Sequence, residues 1–526
     1  MQKQNHNMRT ERKSSIKNSA TRLILIALLV LIQTGWMIVL MSKLNTYSTA
    51  ITLIMTCIAV IIALKVFGTH VNSAQRMPWL IVITAVPFFG ICIYLLFGRS
   101  IVTKGMRRRF NGIEADILKN KLKQDEQIIK ELEQKDPGIA NQCRYISNTA
   151  KYPVYKNTDM EYYNTALESF EAQLWELSKA EKFIFMEYHA IEDAISFERL
   201  KKVLIDKAKN GVEVRIFYDD LGSIFFLNKE FIKRMRDEGI QCRVFNPLKV
   251  IVNMFMNNRD HRKITVIDGK VGFTGGYNLA DEYFNITHPY GYWKDTGVKL
   301  TGDAVKSLTA SFLTMWNAID HTDSQEAYDE YIDATDGTYN AASQECYVQP
   351  YSDNPLGHDR IGEDVYLNIL KNAKHYVYIT TPYLIITDEM ERELRLAVKR
   401  GVDVRIVTPG IPDKKMVYKI TRSYYEPLCS AGVRIYEYTP GFCHAKQWVA
   451  DDEVCVVGTI NMDFRSLYLH FENAVFTYNR ERAGKVKADM LDNFEISNEV
   501  TSDYAVDVIR PLKLGTCMLH MISPLL

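Results

Sequence analysis

Three long apolar stretches, residues 23–41, 51–67 and 78–97, dominate the first hundred positions, and each approaches the length that crosses a bilayer. They predict a membrane anchor over residues 1–100 with two or three apolar segments. A cleaved signal peptide fits poorly, because the first run is long, lacks a small-x-small pattern and precedes further apolar runs. Basic residues flank the set on both sides: Arg9, Arg12, Lys13, Lys17 and Arg22 before it, Lys104, Arg107, Arg108 and Arg109 after it. Positive flanks tend to stay inside, which requires an even number of crossings. The third run, interrupted by Pro87 and Gly90, is the one expected to re-enter or lie shallowly. From 113 to 135 charge rises sharply while Ile117, Leu118, Leu122, Ile128 and Leu132 keep helical spacing, until Asp136-Pro137-Gly138. A solvated, charged helical linker over residues 101–140 is the expectation, with a stripe resting on lipid as the alternative.

Beyond the linker, strand and helix patterns alternate, and the alternation occurs twice. Residues 183–188 read as a strand, 196–210 as a helix and 212–218 as a strand; 376–381, 388–400 and 401–407 repeat the order. The string Gly211-Val-Glu-Val-Arg-Ile-Phe217 is echoed by Gly401-Val-Asp-Val-Arg-Ile-Val407. The offset of 190 here and of 183 between the chemical motifs below describes one duplicated unit with different loops. The fold class is therefore α/β: two pseudo-symmetric sheet-and-helix units, residues 141–330 and 331–526, preceded by an N-terminal transmembrane region. A seam rich in Asp and Thr lies near 320–340.

Length changes this picture little, since 526 residues suit several units. Charge changes it more. Lys and Arg number 64 against 63 Asp and Glu, a net +1, so no broad cationic field is available to hold nucleic acid. Nine cysteines are scattered singly without CxxC spacing, which suits a reducing compartment.

The candidate chemistry is carried by a repeated string. His261-x-Lys263 is followed by Asp268 and, after Gly275, Asn278; His444-x-Lys446 is followed by Asp451 and, after Gly458, Asn461, at identical spacing. A lone histidine is more often a satisfied core or surface group, but the whole set recurring is not an accident of composition. Residues 264–267 and 447–450 read as strands, so each histidine and its lysine share a face. Two histidines at one phosphorus can divide a phosphodiester displacement, one attacking and one donating a proton to the leaving oxygen. Lysine and asparagine supply donors for the phosphoryl oxygens. The pattern points to a phosphotransfer enzyme.

The paired His-x-Lys-x4-Asp strings resemble those of the phospholipase D superfamily. Pro87-Phe-Phe-Gly90, Tyr94-Leu-Leu-Phe-Gly98-Arg99, Tyr292-Trp293-Lys294-Asp295-Thr296 and the Pro524-Leu525-Leu526 terminus narrow the likeness to bacterial cardiolipin synthases, from about residue 20 onward. The resemblance implies phosphatidyl transfer from one phosphatidylglycerol to another, with glycerol released through a phosphatidyl-histidine intermediate. It assigns attack to His261 and acid/base work to His444, an order that the residues alone leave open. Lys263 and Lys446 would hold phosphoryl oxygens, Asn278 and Asn461 would support them, and Asp268 and Asp451 would complete the catalytic set by organising it. Asp295 and Glu472 are the candidates to fix the histidine tautomers, which require an acceptor on the second ring nitrogen. Gly276 and Thr459 depart from the family pattern without touching these groups. No metal-ligand spacing is present, and the resemblance implies neither metal nor other cofactor.

Phosphatidylglycerol and membrane lipid are thus the expected partners, with no nucleic acid, and the expected location is the bacterial cell membrane, multi-pass, with the catalytic units on the cytoplasmic side. Hydrolysis by a phospholipase D or a tethered nuclease uses the same residues, and transfer to another acceptor alcohol is equally compatible. A non-catalytic scaffold is disfavoured by two complete motifs. Oligomeric state is unreadable. The apolar stretch 250–256 and residues 512–526 each read either as core packing or as a lipid-facing surface.

Overall fold

A computed structural model of the chain describes residues 28, 31–32, 35, 38–39, 48–69, 71–98, 104–228, 230–247, 258–334, 339–342, 345–357, 359–507 and 514–523. The two alternating stretches become two mixed sheets built on one plan. The first unit supplies β1 (Thr158–Tyr163), β2 (Phe183–Tyr188), β3 (Glu213–Asp219), β4 (Gln241–Phe245), β5 (Arg259–Asp260), β6 (Lys263–Ile267), β7 (Val271–Gly275), β8 (Tyr292–Lys294) and β9 (Gly297–Gly302). The second supplies β10 (Tyr347–Asp353), β11 (Tyr376–Thr380), β12 (Asp403–Pro409), β13 (Arg434–Tyr438), β14 (Gly441–Cys443), β15 (Gln447–Ala450), β16 (Val454–Gly458), β17 (His470–Tyr478) and β18 (Ser497–Glu499). One sheet runs β1-β9-β7-β6-β2-β3-β4 and the other β10-β17-β16-β15-β11-β12-β13-β18, so the two orders match strand for strand until β18 extends the second. Along each order three strands are parallel (β2, β3, β4 and β11, β12, β13) and the remaining pairs antiparallel, while β5 adds to β17 in parallel off the path. Central strands β2 and β11 are buried along their whole length, which is why their sequences read as unbroken apolar runs rather than alternating ones.

Helices lie on both faces of the first sheet, as the alternation predicts. Helices Ala166–Leu177, Ile195–Lys209 and Phe231–Asp237 bury Phe170, Phe197, Leu200 and Phe231 against Ile184, Met186 and Val214. On the other face Phe185, Phe217 and Val266 meet helix Val305–Ile319, with Phe185 and Phe312 stacked at 4.7 Å. That core is continuous with the core of the second sheet. The expected seam contains a helix of its own, Gln325–Ile332, pinned by buried Tyr328 and Ile332.

The solvated linker is corrected. Helices Lys104–Asn120 and Glu126–Lys135 bury Phe110, Ile113, Ile117, Ile129 and Leu132, and the segment between them Leu122, in the same continuous core. Asp136-Pro137-Gly138 does stop helix Glu126–Lys135, and it also opens the next: the Asp136 carboxylate accepts the N–H groups of Gly138 and Ile139 at 2.7 and 3.1 Å, with Pro137 in the first turn of helix Pro137–Thr149. Charge density misleads here because it lies on the outward faces, while the apolar stripe meets a helix some two hundred residues later.

At the N-terminal end, helices Ser48–Phe67, Ser73–Ala85 and Pro87–Phe97 pack around Ala59, Val66, Trp79, Ile83 and Ile91. The third apolar run breaks at Val86, and Gly90 lies so close to the preceding helix that an added Cβ would stand 2.2 Å from the Val82 carbonyl oxygen. Among the described residues no helix is long and apolar enough to cross a membrane. Most of the run 23–41, its basic flank before residue 23, the apolar stretch 250–256 and the terminal Pro524-Leu525-Leu526 lie outside the described residues.

Candidate active site

Both motif histidines sit where a strand begins and the two units touch. Short strand β5 precedes His261 and pairs with the start of β17 of the second unit, placing Arg259 opposite His470. Short strand β14 precedes His444 and pairs with β8 of the first unit. The backbone continues the exchange: His261 N–H donates to the Phe471 carbonyl at 2.9 Å, and His444 N–H to that of Lys294 at 2.7 Å. The acids follow the strands across. His261 Nδ1 meets Glu472 at 2.9 and 3.0 Å, and His444 Nδ1 meets Asp295 at 2.7 Å. Each orienting acid therefore serves the histidine of the other unit.

A carboxylate on Nδ1 fixes that nitrogen as the proton carrier and leaves Nε2 as the reactive one. The two histidines are not equivalent, however. Glu472 holds His261 with both oxygens, whereas His444 Nδ1 also lies 2.8 Å from the Lys446 ammonium. An ammonium can only donate, so it competes with Asp295 and favours a proton on Nε2 of His444. Glu472 is in turn held by the Thr459 hydroxyl. Asp295 stands against Gly276, where an added Cβ would lie 2.0 Å from its Oδ1.

Burial shapes the charges. Desolvation, then the neighbouring Lys263, pushes His261 well below its ordinary range, and desolvation followed by Lys446 takes His444 to about 3. Both imidazoles are therefore neutral near pH 7, the state a nucleophile requires, whereas a histidine that protonates a leaving oxygen must first gain a second proton. Burial also lowers Lys263 to about 7 and Lys446 to about 8, although Glu472 and Asp295 oppose it.

His261, His444, Asn278 and Asn461 line one cavity of about 480 Å³, with Tyr283, Trp293 and Tyr383 among its apolar walls. Lys263 and Lys446 stand behind that wall, each donating to the carbonyl of its own motif histidine, at 2.5 Å for Lys263. Asn278 is held by Ala190 N–H at 3.1 Å and by the Tyr283 hydroxyl at 2.7 Å. Asp268 and Asp451 are not in the site. Each lies at the far end of its strand, seven residues from the histidine and so roughly 23 Å away at strand rise, in a left-handed turn with φ of 53° and 52°. There Asp268 accepts three N–H groups from residues 181–183 at 2.7–2.9 Å, and Asp451 three from residues 374–376 at 2.6–2.9 Å. Their place in the catalytic set is corrected: they anchor the strand that carries the motif, because a carboxylate in that turn is the acceptor those amides need.

The structure adds residues that spacing missed. His189 follows β2, its Nδ1 2.6 Å from the Asp260 carbonyl and its ring 5.0 Å from that of His261. His470 lies 5.5 Å from His261 on the other side, and both line the cavity. Two signals were available: His470 is two positions before Glu472 on one strand face, and His189 stands at the carboxyl end of a parallel strand. Arg259, fully buried, grips both oxygens of Asp219 at 2.8–3.0 Å and holds β5 in place. The described residues also hold one set with metal-ligand geometry, His261, His470 and Glu472, with ligand atoms within 4.8 Å of one another. Sequence spacing hides it because His261 arrives from the other unit.

Residues 174–316 and 366–494 match the family model described as cardiolipin synthase, PLD-like domain, and residues 54–99 the one described as phospholipase D-nuclease N-terminal. The chain is 39% identical over 465 residues, 88% of its length and 99% of the relative's, to an uncharacterized protein of Streptococcus mutans serotype c. It is 32% identical over 482 residues, 90% of its length and 94% of the relative's, to the cardiolipin synthase of Geobacillus sp. strain WCH70. The solved phosphatidylserine synthase of Haemophilus influenzae Rd KW20 superposes with a TM-score of 0.52 at 15% identity, covering 69% of this chain and 92% of that one, a likeness of fold.

Proposed function

The chain belongs to the cardiolipin synthase family of phospholipase D-like proteins, and on that premise we propose the course of its reaction. It is a phosphatidyltransferase of the cardiolipin synthase type. Phosphatidylglycerol is donor and acceptor. Nε2 of His261 attacks the phosphorus, the bond from phosphorus to the glycerol headgroup oxygen breaks, and His444, carried to the imidazolium by a proton taken up with the anionic substrate, gives that oxygen its Nε2 proton and is left neutral, releasing glycerol. A second phosphatidylglycerol then loses its terminal hydroxyl proton to His444 as its oxygen attacks the phosphatidyl-histidine, forming cardiolipin and freeing His261. The observation that carries this division of labour is the unequal hold on Nδ1: two carboxylate oxygens for His261, a carboxylate and an ammonium for His444. Lys263 and Lys446 turn from the histidine carbonyls onto the phosphoryl oxygens when the anion enters, and Asn278 and Asn461 add amide donors.

We place the catalytic units on the cytoplasmic side of a bacterial membrane, anchored through the N-terminal apolar runs in a multi-pass arrangement. The exposed Leu53, Ile61 and Leu64 on helix Ser48–Phe67 support this reading.

The test is purified, detergent-solubilised protein given phosphatidylglycerol alone, with products followed by mass spectrometry. Cardiolipin and glycerol are expected; phosphatidic acid would make water the acceptor instead. His261→Ala and His444→Ala should each lose about three orders of magnitude in rate. A phosphatidyl adduct should be trapped on His444→Ala and not on His261→Ala, and the opposite result would reverse the roles.

A further inference from the structure

We propose that helix Leu514–Ile522, together with the lysine-bearing helix Lys415–Ser423 against which it leans, is a docking surface for an anionic phospholipid bilayer, seating the cavity mouth on the lipid. The proposal rests on the lipid substrate argued above.

The C-terminal helix has no Asp, Glu, Lys or Arg in its sequence LGTCMLHMI. Its inward side is held by Leu519, packed on the main core, and by His520, whose ring stacks on Tyr424 at 4.8 Å and whose Nε2 lies 2.5 Å from the Ser423 hydroxyl. Its outward side carries Leu514, Cys517 and Met518, spaced i, i+3, i+4, with Leu514 80% and Met518 61% exposed. A surface helix ordinarily turns its charged face to water; this one turns an apolar face out.

Its surroundings name the occupant. On one side Lys414, Lys415, Met416 and Lys419 are exposed, cations interleaved with an apolar side chain. On the other the helix rests on Ser73–Ala85, which exposes Met77 and Ile81 and belongs to the apolar N-terminal bundle. Lys414, Val417 and Ser523 line the catalytic cavity, so the platform borders its entrance. Apolar side chains among lysines complement a layer whose interior is hydrocarbon and whose surface carries phosphate. A protein partner would have to supply both features over the same patch.

The experiment uses the full chain in vesicles of phosphatidylglycerol and neutral phosphatidylcholine, compared with dihexanoyl phosphatidylglycerol dissolved as monomers. Leu514→Ser/Met518→Ser should lower turnover on vesicles at least tenfold and leave turnover on the monomeric lipid within twofold. Lys415→Gln/Lys419→Gln should raise the fraction of anionic lipid needed for half-maximal vesicle activity. A second readout is independent of turnover: Met518→Trp, read as the difference from the parent protein, should be quenched by vesicles of brominated phosphatidylglycerol. Absence of quenching, equal loss on both substrates, or conversion of a dimer to a monomer by Leu514→Ser/Met518→Ser would overturn the proposal. Quenching without cardiolipin from either substrate would instead retain the surface and reject the reaction.

Discussion

Gly276 and Thr459 occupy equivalent places in the two motifs, and each is matched to the acid beside it. Thr459 donates to Glu472, while Gly276 leaves room for Asp295 to approach. Gly276→Ala should push Asp295 off His444 and lower kcat on the order of a hundredfold, the usual cost of misplacing a catalytic group by an ångström. Thr459→Ser keeps its hydroxyl and should stay near the parent rate; a Gly276→Ala enzyme with full activity would refute the packing argument. The lysines set a pH dependence whose sign follows from burial. Their pKa values, about 7 and about 8, lie below the ordinary lysine value, so they are charged below that range and neutral above it. The charged form attracts the phosphodiester, and the bound anion in turn holds the proton on. KM should therefore rise as pH climbs through these values while kcat changes little. A flat KM would mean that the lysines do not meet the phosphate.

At the level of elements, the strands that carry the motifs are anchored at the end remote from chemistry. Asp268→Ala removes an acceptor of three amide protons and puts alanine at a positive φ, which together should cost about 1–3 kcal/mol. Tm should fall with kcat within twofold, and a selective loss of kcat would return Asp268 to the catalytic set. The elements also mark what could be read in advance. Strands 183–188, 376–380 and 447–450 were legible because burial on both faces, or a fixed position after a motif, writes itself locally. The burial of Ile117 and Leu132 was not, because their partner is distant in sequence. That Asp268 organises rather than reacts was the expectation, but its distance from the site was not legible, because its spacing from His261 is the same whether it sits beside the substrate or at the far end of the strand.

Across the whole molecule, the motif residues and their acids were legible, but His189, His470 and the pairing were not. Asp295 and Glu472 were identified, but nothing in linear spacing says which of two equivalent histidines an acid will meet; the exchange of β5 and β14 between units decides it. This assignment is testable. Glu472→Gln should slow formation of the phosphatidyl-histidine, because it loosens His261 in the other unit. Asp295→Asn should slow both formation of the adduct and its resolution, because it weakens His444, which acts in each step. Own-unit pairing predicts the reverse under rapid-quench trapping. The exchange also bears on how the enzyme comes into being. His261 and Glu472 are separated by 211 positions along the chain, and His444 precedes the acid that His261 needs. On the proposed mechanism, a ribosome-bound fragment holding all of the first unit would have a nucleophile without its orienting carboxylate and no proton donor. That mechanism therefore predicts that activity appears only late in synthesis, when β17 has left the exit tunnel and docked, and that truncated products of interrupted translation have no phosphatidyl-transfer activity.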